Sequence, residues 1–410
     1  MDFQVKYDVA VVGGGIAGIA AGLQAARSGK KTVLIEKTVL LGGLATTGLV
    51  YIYLPLCDGN GRQVTFGICE ELIQTSLKYG PGHIPERWRE QKDGAEINRY
   101  RCAFSPAAFI LALDELLEEA GVDIWLDTLV CGVELDANKR LTSVTVENKS
   151  GRGRIDAGCF IDASGDCEVA RRAGCECLEE DNYLSMWAME YDTMSPYNKD
   201  YDLADKVKVH MGGVPWGPQC PPEKVFRGIS GKKVSKFVLD GRRMLRERYQ
   251  KRHAQGVSDR SSFFPLSLPA MPQFRKVYCV KGRTVLKGNQ HATRFEDSIG
   301  LVADWRKPGF VWEIPYGTLI PENVEGLLAA GRCVAAEGDA WEITRVIPTA
   351  ALTGQVAGLA AALSLDEGAT PSRLDVNLLQ EKLRRLDFPL RMEDFTMNGN
   401  SKTSRKVWRK

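Results

Sequence analysis

Apolar and polar positions along the chain switch between two periods, and the N-terminal stretch sets the frame. Val9–Val12 is a short apolar run between Asp8 and Gly13, the length of a buried parallel strand. After Gly13-Gly14-Gly15-Ile16-Ala17-Gly18, an Ala-rich segment has helical spacing. A second apolar run, Thr32–Ile35, is closed by Glu36. Gly67–Tyr79 and Pro106–Ala120 predict helices; in the second, Phe109, Ile110, Leu113, Leu116 and Leu117 form one stripe. Pro106 after Ser105 is a regular helix start. From Val122 to Phe160 the chain changes to short alternating runs at 122–126, 129–135, 141–146 and 154–161, with a turn at Asp136–Arg140. These predict a small antiparallel β-meander. The last run ends in Ile161-Asp162-Ala163-Ser164-Gly165-Asp166, a small-residue turn that brings the chain back to the parallel sheet beside the first glycine turn.

Residues 182–297 differ in texture, with many aromatics and prolines and one basic helical stretch, Lys232–Arg252. Val234, Phe237, Val238, Met244 and Leu245 mark its apolar face. Its cations read as a solvated helix face or as a surface for phosphate or nucleic acid. Beyond Trp312 the pattern tightens again: Ile314–Pro321, the strand Leu327–Ala330, the turn Gly331-Arg332-Cys333, and a helix opened by Pro348-Thr349. Gly354, Ala357, Gly358 and Ala361 give that helix a small-residue side suited to close packing on a sheet or another helix. The predicted division is 1–181 and 298–390 for one dinucleotide-binding domain, 182–297 for a substrate-binding insertion, and 391–410 for a basic tail.

The chemistry lies in the first turn. In GxGxxG between strand and helix, Gly13 makes the tight turn, Gly15 admits a pyrophosphate to the backbone, and Gly18 lets helix and strand pack closely. The helix N-terminus offers N–H groups to phosphate, and Glu36 can accept hydrogen bonds from ribose hydroxyls. The loop Leu41–Gly48 is rich in small residues and follows this acid directly, which favours cofactor contact over a free surface loop. The 410 residues carry a net charge of +2, which points to no particular partner. No apolar run reaches the ~18 residues that span a bilayer, and Met1-Asp2 leads straight into a strand, so no secretory signal is expected. The eleven cysteines are odd in number and lack framework spacing, which predicts a reduced, cytoplasmic protein. Cys175-Glu176-Cys177 has no second such motif to complete a metal site.

Together GGGIAGIAAG with Glu36, GGLATTG, FIDASGD, IPYGTLIP, LLAAGRC and RVIPTAALTGQVAG resemble the FAD-dependent oxidoreductases of the glutathione-reductase-like superfamily. The resemblance covers about Tyr7–Ala173 and Phe274–Leu386. It implies an α/β fold: a Rossmann-like FAD-binding domain of glutathione-reductase type, with a β-meander and an inserted α+β substrate domain. It also implies that Gly13, Gly15 and Gly18 hold the FAD pyrophosphate and Glu36 the adenosine ribose. Gly42, Gly43, Ala45 and Thr46 would line the pyrophosphate and flavin, Val130 would meet adenine through its backbone, and Gly331-Arg332 would face the ribityl chain and phosphates. Pro348 and Thr349 would aim a helix N-terminus at flavin N1 and C2=O. Ala17, Lys37, Ala163, Gly165 and Asp166 complete the cofactor set.

Three places depart from the family pattern. Arg275-Lys276-Val277-Tyr278 lacks a second arginine before Gly282, Gly338 and Trp341 stand where relatives carry histidines, and Asp304-Trp305 shortens an Asp-x-His. The expected activity is oxidation or reduction of a small organic substrate, such as a sugar, polyol or related hydroxyl or amine compound, by hydride transfer at flavin N5. His291, Arg275, Tyr278, Tyr316 and Asp304 are the catalytic candidates. His291 also reads as a surface histidine, Tyr316 as packing, and Arg275 as a clamp for a substrate carboxylate. An RNA-modifying flavoprotein, a thiazole-synthase-like enzyme with a sulfur-donating cysteine, and a binding-only protein are the competing readings. The sequence leaves the electron acceptor and oligomeric state open and shows no second dinucleotide fingerprint.

Overall fold

The structure is a computed structural model that describes residues 1–60, 62–84, 101–198 and 200–394; the basic stretch from Phe395 lies outside these residues. The strand Phe3–Val12 forms the centre of a seven-stranded sheet. On one side it pairs in parallel with Thr32–Ile35, and on the other with Gly151–Asp162, from Phe3 opposite Gly153 to Val12 opposite Asp162. The long Gly151–Asp162 strand has two kinds of neighbour. Its first half pairs antiparallel with Leu141–Asn148, which pairs with Leu129–Leu135. Its last residues, Phe160–Asp162, pair in parallel with Leu327–Ala329. One strand therefore carries the meander and also receives the returning C-terminal third.

The run beginning at Val122 is not part of the meander. Asp123–Trp125 lies parallel to Thr32–Ile35 and extends the other side of the sheet. A parallel neighbour must be reached by a crossover, and the helix Pro106–Glu119, capped by Ser105 Oγ at 3.3 Å from the Ala108 amide, precedes it. The helix expected over Gly67–Tyr79 is shorter, Ile68–Thr75.

The helix Ile16–Arg27 is buried from Ile16 to Ala25. Its principal partner is the helix Ile347–Asp366, so the small-residue side meets a helix. A Cβ at Gly354 would lie 2.1 Å from the Ala17 carbonyl oxygen, and one at Gly358 2.3 Å from that of Ala21. Ile347–Asp366 has the length and apolar composition of a membrane span, which the sequence pattern did not predict; 89% of its apolar window is buried inside the protein.

In the middle region, Val207–Gly213, Ser185–Asp192 and Phe263–Ser267 form a three-stranded antiparallel sheet. The helix Gly231–Ala254 lies against it with Phe237, Gly241 and Leu245 buried. Two buried acids of the central strand take cations from that helix: Glu190 meets Arg248 at 3.1 Å and Asp192 meets Arg252 at 2.7 Å.

Candidate cofactor and substrate site

The glycine turn is built by unequal crowding. Gly13 has φ +105°, and a Cβ there would lie 2.5 Å from the Ala163 carbonyl oxygen; one at Gly18 would lie 1.8 Å from that of Gly13. At Gly15 a Cβ would meet nothing within 4 Å. Two of the glycines thus close the backbone together, and the third leaves an open face at the start of the Ile16–Arg27 helix. No side chain caps that start, so its first N–H groups are left for an external acceptor. Glu36 stands beside it, accepting from the Gly14 amide at 2.7 Å and from the Thr38 amide and hydroxyl at 2.9 Å each.

Gly42, Gly43, Ala163 and Gly331 pack against the same turn and the helix that follows it. The Gly42 amide donates to the Gly14 carbonyl at 2.8 Å, and a Cβ at Gly43 would lie 3.0 Å from the Gly15 Cα. The Thr46 hydroxyl bonds to the Leu41 carbonyl and shapes the loop, with Ala45 buried under it. The Thr128 amide donates to the Glu36 carbonyl at 3.1 Å, which brings the strand carrying buried Val130 alongside. Lys37 is exposed. On the far side of the turn, buried Asp162 accepts from the Val169 and Ala170 amides at 2.9 Å and from Ser164, fixing the Ala163–Asp166 turn. Burial pushes the Asp162 carboxyl up, against those hydrogen bonds. Arg332 lies over Gly165, where a Cβ would sit 2.3 Å from its Nη2, and ion-pairs with Asp166 at 3.5 Å. The Gly331 amide donates to Thr353 Oγ1 at 3.0 Å, and a Cβ at Gly331 would lie 2.7 Å from that of Ala17.

Thr349 lies in the first turn of its helix. It is fully buried and its hydroxyl donates to the Ile343 carbonyl at 2.7 Å, with Pro348 buried next to it. The helix begins one residue earlier than Pro348, at Ile347, and Val346, buried at its start, is part of the lining of a cavity.

The cavity has a volume of about 1030 Å³, large enough for a substrate with room to spare. The glycine-turn residues are outside its lining; Val50, just past the glycine-rich loop, and Val346 are on its wall. Arg275, Lys276, Glu342 and Arg345 form its charged end, while Tyr197, Met211 and Trp216 line it and are 51%, 45% and 57% exposed. Glu342 is held by Arg345 and by Lys276, the latter at 3.0 Å. Burial opposes its ionisation, but these two cations outweigh burial and hold the carboxyl below its usual range.

Among the catalytic candidates, Arg275 lines the cavity. Tyr278 is buried in the strand Tyr278–Val280 beneath the Arg171 guanidinium, 4.1 Å from its ring. Tyr316 is buried with its hydroxyl on the Pro371 carbonyl at 2.9 Å, and burial holds the phenol well above its usual range. Asp304 is buried and accepts from the Arg306 and Lys307 amides at 2.8 and 3.0 Å, closing a turn. His291 is exposed, its ring 4.4 Å from that of Phe310. None of these four is in the cavity lining. The residues that sequence reasoning missed are His83, Trp187, Lys276, Glu342 and Arg345, all on the cavity wall. Arg345 opens the RVIPT motif and Lys276 follows Arg275, and these were the available signals.

The match to known proteins agrees with this geometry. The family model for FAD dependent oxidoreductases matches residues 8–211 and 216–383, and the chain belongs to that family. Its cofactor is FAD, and the open Gly15 face, the uncapped helix start and Glu36 fit the dinucleotide. A digeranylgeranylglycerophospholipid reductase of Picrophilus torridus is 30% identical over 179 residues, 43% of each chain; the match thus spans less than half of that relative's length. A thiamine thiazole synthase of Methanothermobacter thermautotrophicus is 25% identical over 58% of this chain and 90% of its own. Among solved structures, a geranylgeranyl bacteriochlorophyll reductase-like protein of Thermoplasma acidophilum superposes with TM-score 0.48 at 15% identity, covering 94% of this chain and 83% of that one.

Proposed function

We propose that this FAD-dependent oxidoreductase oxidises or reduces a small organic compound bearing a hydroxyl, amine or related group, held in the cavity next to the flavin. The observation that carries the reading is the reach of one helix. Ile347–Asp366 packs through Gly354 on the glycine-turn helix, and the residue at its start, Val346, is in the cavity wall.

Bound FAD supplies the two-electron chemistry, exchanging a hydride with the substrate at N5. The protein's own groups do the rest. The open face at Gly15 and the N–H groups at the start of Ile16–Arg27 receive the pyrophosphate, Glu36 accepts from the ribose, and Arg332 faces the phosphates. The start of Ile347–Asp366 directs a positive dipole end toward the cavity, which favours negative charge there. We assign proton transfer to a group on the cavity wall, where His83 is the histidine among the described lining residues.

In this reading, residues 1–181 and 298–390 make up an FAD-binding domain of glutathione-reductase type. Residues 182–297 are the substrate-binding insertion, which brings Tyr183, Trp187, Met211 and Arg275 to the cavity, and 391–410 is a basic tail. The eleven thiols suit a cytoplasmic protein. Arg248 and Arg252 of the basic helix are committed to Glu190 and Asp192, and its exposed cations are read as a solvated face, the reading under which nucleic acid is a disfavoured partner. A sulfur-donating cysteine is disfavoured too: Cys102 lines the cavity, and burial pushes its thiol up, away from the reactive thiolate.

The test is anaerobic titration of the FAD-replete protein with sugars, polyols, amino acids and phenolics, and of the reduced protein with candidate acceptors. One class should bleach or restore the flavin absorbance. A flavin that responds to dithionite and to none of these compounds would count against the proposal.

A further inference from the structure

The charged end of the cavity is not balanced residue by residue. Lys276 has Glu180 at 2.6 Å and Glu342 at 3.0 Å, Arg345 has Glu342, and Arg332 has Asp166 at 3.5 Å. The acids along the cavity are likewise met: Asp202 by Lys208 at 3.2 Å and Asp181 by Arg227 at 3.8 Å, while Asp200 is exposed. Arg275 differs from its neighbours. Among the described residues no carboxylate lies within ion-pair distance of it, and its one hydrogen-bonded partner for the guanidinium is the Gln273 carbonyl, at 3.1 Å from Nη1. Burial, together with the nearby Arg345 and Arg332 cations, pushes its guanidinium down to about 9, which an added anion would relieve.

Its position is also fixed. Buried Asn182 accepts from the Arg275 and Lys276 amides at 2.7 and 2.8 Å, and its own amide donates to the Lys276 carbonyl. This clamp holds the backbone from which Arg275 projects. The guanidinium carbon lies 5.7 Å from the Trp187 ring, Met211 is the cross-strand partner of Trp187, and the exposed residues Tyr197, Met211 and Trp216 line the same cavity. The cavity therefore holds a guanidinium with no carboxylate partner among the described residues, alongside Tyr197, Met211 and Trp216; a second guanidinium on its wall, Arg101, lies over the Tyr201 ring at 4.6 Å.

We propose that Arg275 anchors the carboxylate of a substrate whose body is aromatic or otherwise apolar, with Asn182 as the positioning residue behind it. A single uncompensated guanidinium matches one planar monoanion, which it can grip through two parallel N–H···O bonds. A phosphate dianion would need a second free cation beside Arg275, and its neighbours Lys276 and Arg345 are already engaged with Glu180 and Glu342, while Arg101 of the same wall is stacked on Tyr201. Trp187, Tyr197 and Trp216 supply the faces for a ring or chain. The inference rests on the cavity being the substrate site.

Benzoate and 3-phenylpropanoate, with benzamide and 3-phenylpropanamide as neutral counterparts and phenyl phosphate as the dianion, test it. Binding to the FAD-replete full-length protein is read by calorimetry and tryptophan fluorescence, with FAD content and its reduction by dithionite measured separately. The carboxylates should bind on the order of 10–100-fold more tightly than their amides and more tightly than phenyl phosphate. Arg275→Met should erase that preference without changing amide binding or FAD content, and Arg275→Lys should restore part of it. Equal binding of acid and amide, preference for phenyl phosphate, no binding by the parent, or loss of FAD alone in Arg275→Met would each overturn the proposal. The parent's own discrimination decides the matter if Arg275→Met fails to fold. Carboxylate preference in a protein whose flavin answers no substrate would uphold Arg275 and defeat the oxidoreductase reading of the cavity. A flavin bleached only by neutral compounds would do the reverse.

Discussion

Gly354 and Ala17 meet with no space for a side chain between them: a Cβ on Gly354 would lie 2.1 Å from the Ala17 carbonyl oxygen. Ala17 sits in the first turn of the helix that starts at the open Gly15 face, so this contact sets where that N-terminus stands. Gly354→Ala would have to push two backbones apart, and overpacking of this kind costs about 1–3 kcal/mol. Thermal unfolding should shift down and purified protein should carry less FAD. Added FAD should recover part of the loss, because a ligand bound only to the native state stabilises it. Melting curves with and without FAD, together with the flavin released on denaturation, check both parts.

Glu36 has two tasks in the structure, accepting from the Gly14 amide and from Thr38. Glu36→Gln keeps the size but gives up charge-assisted hydrogen bonds, which are worth about 1.5–3 kcal/mol each. FAD should be held on the order of 10–100-fold more weakly, and the FAD-free chain should also melt lower, because the Gly14 and Thr38 donors lose their carboxylate. Glu36→Arg should be worse, since it places a cation where an acceptor is needed. Equilibrium ultrafiltration gives the affinity, and unchanged retention in both variants would show that Glu36 does not touch the ribose.

Asp192 predicts how the middle sheet responds to acid. Burial alone would raise its carboxyl, but hydrogen bonds from Ser195 and Arg252 and from the Met194 and Ser195 amides bring it down to about 2 from an ordinary 3.8. A depressed folded-state value means stability that is present above the unfolded value and lost as pH falls through the folded one. Parent protein should therefore exceed Asp192→Asn in stability above about pH 4, and the gap should close as pH approaches 2. Urea unfolding at stepped pH measures it. A gap that stays constant would mean that the Arg252 pairing contributes nothing through charge.

The dinucleotide turn was legible because its chemistry is local. Gly13, Gly15, Gly18 and Glu36 lie within one strand–helix–strand unit, so spacing alone carries the meaning. Asp123–Trp125 was misassigned because short alternation is the same for a parallel and an antiparallel strand, and only the crossover through Pro106–Glu119 separates them. The cavity was not legible: Asn182 acts on Arg275 from 93 positions away, and nothing in either stretch announces the other. Tyr316 shows the converse. It lies in a recognisable motif, yet its hydroxyl is bonded to Pro371 and serves packing. Thr349 was read from its place at a helix start; the structure puts that start at Ile347, with the Thr349 hydroxyl on the Ile343 carbonyl and Val346 on the cavity wall.

The apposition of cavity and cofactor is the central claim, and the flavin's two-electron potential reads it most directly. Val346 is the residue at the start of Ile347–Asp366, has no side-chain capping bond, and lines the cavity. Val346→Asp supplies a cap worth about 0.5–2 kcal/mol to the helix and places a carboxylate beside the flavin. The variant should stay folded and FAD-replete. Its potential should fall by about 1–3 kcal/mol, or ~20–60 mV for a two-electron couple, because reduced flavin is the more negative form. A folded, FAD-replete variant with the parent's potential would contradict the account and put the cavity away from the flavin.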